Sequence, residues 1–201
     1  MKGLLLKDFK TVFAQGKLLM LLIAFYLVFS VVTKSFSIFG ALAVVFCAVM
    51  PVTALAYDER SKWDRFSFTL PLSRKALVGE KYLFGIMLTL PIILLECALE
   101  VFFSDMPAGD IIGSAAISFA LGIFLLALSL PLSFWLGVEK GRIAIMVVFC
   151  GSAIAASSLL DNLSSLVQPD SRTAAAAVLG MLILLGLSFY ISVCIYRRKQ
   201  F

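Results

Sequence analysis

Apolar runs that approach or exceed the ~20 residues needed to cross a hydrocarbon core of about 30 Å recur along this chain, at residues 17–33, 36–57, 82–104, 111–137, 143–160 and 173–196. Inside a bilayer there is no water to pair with exposed amides, so each run must satisfy its own backbone as a helix. The expected fold is an all-α integral membrane protein with six transmembrane helices in a single domain covering residues 1–201. The 62% hydrophobic content lies well above the roughly 45–50% of soluble domains. Six spans leave too little chain for a separate catalytic domain.

Before the first span, Leu5, Phe9, Val12 and Phe13 recur at helical spacing while Lys7, Lys10 and Thr11 take other faces. This pattern predicts an amphipathic interfacial helix over residues 4–15, lying on the membrane surface. Charge returns after only three leucines, which is too short an apolar stretch for a cleavable signal peptide, and the segment is expected to be retained.

The basic residues set the orientation. Of the 17 Lys and Arg residues, all but Lys34 and Arg172 fall on the side that holds both termini, and the other side carries Asp105, Asp110, Asp161 and Asp170. Basic residues in short flanking loops stay cytoplasmic, so both termini and the loop over residues 58–81 are expected in the cytoplasm. Tyr57, Trp63, Tyr82, Trp135 and Tyr196 cluster near the same interface, as an aromatic belt requires. The net charge of +5 is thus a topology signal and gives no reason to expect a nucleic-acid partner.

The composition also excludes chemistry. With no histidine the chain lacks the usual imidazole base and most zinc ligand sets. Cys47, Cys97, Cys150 and Cys194 stand singly in apolar runs, without the spacing of a metal site or a disulfide framework, and read as buried thiols. No Gly-x-x-x-x-Gly-Lys-Ser/Thr loop is present to cradle a nucleotide. A metal, a cofactor or a catalytic residue is therefore not expected on this chain, and any use of ATP has to come from a partner.

The most informative polar segment follows the second span. Asp58, Glu59, Arg60, Lys62, Trp63, Asp64, Arg65 and Phe66 combine charge of both signs with two aromatics at i and i+3, which a short helix brings to one face. Such a segment is either a solvated loop with Trp63 anchored in headgroups or a docking helix, since an aromatic flanked by Arg is a common interface anchor.

Tyr57-Asp58-Glu59-Arg60, then Trp63-Asp64-Arg65-Phe66, then Thr69-Leu70-Pro71-Leu72-Ser73-Arg74 and Val78 to Tyr82 form a pattern that resembles the permease subunits of ABC-2 type ATP-binding-cassette transporters. The resemblance implies that residues 58–66 form a coupling helix seated in a separately encoded ATPase subunit, which binds ATP and Mg. It implies that two permease subunits pair, as a homodimer or with a related chain. The compact form looks most like permeases of bacterial exporters for amphipathic or antimicrobial peptides, in the bacterial cytoplasmic membrane.

Inside the third span, Glu96 and Glu100 lie four apart on one helix face. Counted from Tyr82 at 1.5 Å per residue, Glu96 is about 21 Å and Glu100 about 27 Å into a core of ~30 Å. The first is therefore expected to be embedded and the second nearly outside. An intramembrane charge costs at least ~2.5–3.5 kcal/mol, so both are candidates for lining a translocation path, against a plain hydrogen bond to a neighbouring helix for Glu96 and snorkelling for Glu100. Gly109 and Gly113 match a Gly-x-x-x-Gly spacing but stand at a helix start, so Ala and Ser between Ser152 and Ser158 are the better small-residue packing face.

Two function classes follow. One is a transport subunit driven by a partner ATPase, and the other is a non-transporting membrane anchor or regulator that binds a cytoplasmic partner through the same loop. Only the first loses transport when the loop is altered without loss of partner binding.

Overall fold

The computed structural model describes residues 2–15, 17–33, 36–63, 66, 73–103, 107–147 and 171–198. They form α1 (Lys2–Gln15), α2 (Lys17–Thr33), α3 (Phe36–Arg60), α4 (Arg74–Phe103) and α5 (Ala108–Leu136). These are followed by α6, described over 138–147, and α7 (Ser171–Arg198). Among the described residues, four stretches are long and apolar enough to cross a membrane: Phe39–Arg60, Arg74–Phe103, Gly109–Leu136 and Leu179–Tyr196. The helix expected as the first span, α2, has 17 residues, the short limit for crossing. Most of the expected fifth span, together with the Ser152–Ser158 stretch and Cys150, lies outside the described residues.

Two helices run past the boundaries that hydropathy suggests. The helix α3 continues beyond Tyr57 to Arg60, and α4 begins at Arg74 rather than Tyr82. Hydropathy marks where a helix leaves the hydrocarbon, whereas the backbone stays helical for as long as caps and water satisfy it. At the start of α4, Ser73 supplies the cap, its Oγ accepting from the Ala76 amide at 3.2 Å, the arrangement Ser favours at helix N-termini. With 30 residues, α4 reaches about 45 Å, so its first turns project beyond a core of ~30 Å.

The central bundle is α3, α4, α5 and α7, with α2 packed at the edge against α3 and α1 touching α3 and α4. Ala48, Val52, Leu126 and Leu130 are fully buried at its centre. Polar contacts then fix the register. Tyr82 Oη on α4 lies 2.7 Å from Ser188 Oγ and 2.8 Å from Ser192 Oγ on α7, and Ser188 donates to the Ala127 carbonyl of α5 at 2.5 Å. Ser188 thus joins three helices, using hydrogen bonds where apolar burial against lipid gives little preference for one packing over another. The outer surface is apolar, with Leu21, Phe25 and Val32 on α2, Leu94 and Val101 on α4, and Ile183 and Leu187 on α7 all exposed. A β-carbon built at Gly109 or Gly113 meets nothing within 4 Å among the described residues, so neither glycine makes a close helix contact with them.

Candidate coupling site

Asp58, in the last turn of α3, is buried and sits in an ion network joining three helices. Lys81 on α4 places Nζ 2.7 Å from Asp58 Oδ2 and 2.5 Å from Asp8 Oδ2 on α1. Lys7 on α1 lies 2.5 Å from Asp58 Oδ1 and 3.2 Å from Asp8 Oδ1. Two cations and two carboxylates alternate, so each buried charge faces opposite charges, which is the condition under which burial of ions is tolerated. Glu80, also buried, adjoins the cluster and shares a void of about 20 Å³ with Trp63, Lys81 and Tyr196, large enough for one water.

The chain then turns sharply. Lys62 adopts φ 53°, while the Ser61 amide donates to Tyr57 O at 2.9 Å and the Lys62 amide to Glu59 O at 3.2 Å. The expected continuous helix over residues 58–66 is therefore divided: Asp58, Glu59 and Arg60 end α3 and Trp63 follows the turn. Asp64 and Arg65 lie outside the described residues.

The segment has an inner and an outer set of side chains. Trp63 is half-buried against the core, with Lys7 Nζ 4.5 Å from its ring centroid, a cation–π distance. Its ring centroid is 5.3 Å from that of Phe66, as the i, i+3 spacing predicts. Phe66 is 54% exposed, and Arg60 and Lys62 are exposed with it. Glu59 turns sideways, its Oε2 accepting from the Val138 amide at 3.2 Å. That amide opens α6 after Gly137, whose φ of 79° places the turn in the region that favours glycine, and a carboxylate there also suits the helix dipole.

Asp8, Lys7 and Lys81 are the members of this site that the sequence pattern misses. A signal does exist: Asp8 is the only acidic residue before Asp58, and Lys81 directly precedes an apolar run.

A second polar cluster lies within the bundle. Glu96 and Glu100 are 0% and 1% exposed. Ser118 on α5 donates to Glu96 Oε1 at 2.9 Å, and Ser114, one turn away, donates to Glu100 Oε2 at 2.6 Å. Glu100 is thus enclosed within the bundle rather than snorkelling, because α5 covers this face of α4 and supplies a hydroxyl at each carboxylate. Gly40 on α3 makes room for the Glu96 carboxyl, which any β-carbon at position 40 would overlap.

Compared with known proteins, residues 3–197 match the model of a family described as ABC-2 family transporter protein. No curated protein and no solved structure matches the chain. The match covers nearly the whole sequence, and the apolar helices fit a multi-pass membrane component of transport. The chain belongs to the ABC-2 family of transporter proteins.

Proposed function

We propose that this permease is the membrane subunit of a bacterial ATP-binding-cassette exporter for peptides or other amphipathic substrates, working in the cytoplasmic membrane with both termini inside the cell. ATP and Mg bind a separate ATPase subunit, which docks on the segment at residues 58–66, and two permease subunits pair to form the path. The observation that carries this reading is the ion network of Lys7, Asp8, Asp58 and Lys81. It supports a mechanical role for the segment, because a push on Phe66 and Trp63 is passed at once to α1, α3 and α4. Buried charges resist separation, so the network moves as one body.

In the same reading, Glu96 and Glu100 line the translocation path only after α4 and α5 part. Their enclosure by Ser114 and Ser118 supports a closed state in which the carboxylates are held away from substrate.

The test is efflux of a labelled cationic amphipathic peptide from proteoliposomes holding the permease and its ATPase subunit. The proposal expects ATP-dependent movement that Glu96→Gln slows severalfold with assembly intact. Transport that proceeds without the ATPase subunit sinks the exporter reading. Firm ATPase binding with no transport of any amphipathic cargo favours a membrane anchor.

A further inference from the structure

Where α3 ends beside the α5–α6 turn, the structure opens a cleft of about 670 Å³. Apolar Ala56, Leu136 and Ile143 line it together with Arg60, Lys140 and Arg142 at its rim. All three bases are exposed. Two carboxylates also reach the cleft, Glu59 and Glu139, but Glu59 is engaged with the Val138 amide. Cations therefore outnumber acids three to two at a place where one of the acids is already bound.

The cleft continues into an apolar track. Ile143, Met146 and Val147 are 66%, 71% and 67% exposed, and their i, i+3, i+4 spacing lines them up on one face of α6. Trp135, 68% exposed, directly precedes the cleft-lining Leu136, and an exposed Trp is the residue type that interfaces favour. A soluble anion uses the basic rim but has no use for the track, whereas an uncharged lipid uses the track but not the rim. A molecule with a negative headgroup above an acyl chain uses both.

We propose that this cleft is a binding site for an anionic phospholipid, with the phosphate held by Lys140 and Arg142 and one acyl chain laid along Ile143, Met146 and Val147. Basic pockets between transmembrane helices take headgroups in this way, each cation near the surface contributing a modest attraction. Occupancy fixes the α5–α6 turn against the end of α3, the helix that leads into the coupling segment. Membrane composition thereby stiffens the region on which the partner acts.

The experiment is lipid binding to the purified full chain in detergent, titrated with phosphatidylglycerol, phosphatidylcholine and inorganic phosphate. The expected result is saturable binding of phosphatidylglycerol that phosphate alone does not displace and that phosphatidylcholine does not match. The Lys140→Gln/Arg142→Gln variant binds it on the order of 10- to 30-fold more weakly. The Arg74→Gln/Lys75→Gln variant, which loses the same charge elsewhere, binds as wild type. Equal affinity for phosphatidylcholine, displacement by phosphate, or equal loss in both variants overturns the proposal. A photoactivatable phosphatidylglycerol on the unaltered chain gives an answer independent of variant folding. Lipid–protein crosslinks within residues 56–60 and 135–147 support the site, whereas crosslinks confined elsewhere overturn it.

Discussion

Lys81 on α4 reaches Asp8 on the N-terminal helix across 73 positions of sequence, Nζ to Oδ2 at 2.5 Å, and both side chains are buried. This contact ties α1 to the bundle through α4.

Replacing Lys81 by Met is expected to destabilise the folded permease by about 3–5 kcal/mol, since it leaves Asp8 and Asp58 buried with too little positive charge. Thermal unfolding of the purified protein in detergent reads this as a large drop in midpoint. A change no greater than that of an exposed control such as Lys75→Met contradicts the buried network.

The contact between Lys7 and Trp63 is smaller and separable. A double-mutant cycle with Lys7→Ala and Trp63→Leu is expected to give a coupling of about 0.5–1 kcal/mol, the cation–π share at a half-buried site. Strict additivity of the two single changes removes the link between α1 and the coupling segment.

Within the bundle, Gly40→Ala forces a methyl group onto the Glu96 carboxyl and is expected to cost about 1–3 kcal/mol as overpacking. Shortening the opposing side chain in the same molecule, as Gly40→Ala/Glu96→Ala, is expected to recover part of that loss. A double variant no more stable than Gly40→Ala alone, measured by thermal unfolding, shows that the two positions do not meet.

Much of the fold is legible in the apolar runs because a bilayer leaves a backbone one economical choice. The α2 bounds at 17–33 and the positions of α3, α5 and α7 follow from hydropathy to within a few residues. Helix ends beyond the apolar runs do not, as Asp58 to Arg60 and Arg74 to Lys81 show, since polar residues say where an apolar run stops and not where the helix stops. The charges and aromatics mark out the segment at residues 58–66, yet the inward Trp63 and outward Phe66 are told apart only by the fold, which sets Lys7 and the core against the Trp63 ring. The same holds for Gly40, an ordinary small residue in an apolar run until α4 brings Glu96 against it, and for Glu100, whose burial depends on Ser114 of another helix.

The central claim is that the segment carrying Phe66 faces the cell interior and receives the ATPase. It is tested most directly by labelling a single cysteine, Phe66→Cys in a background with the four native cysteines replaced, using a membrane-impermeant maleimide. The expected result is labelling in inverted vesicles but not in spheroplasts, with protection when the ATPase subunit is bound. Labelling in spheroplasts, or the same labelling with and without the ATPase subunit, contradicts the account.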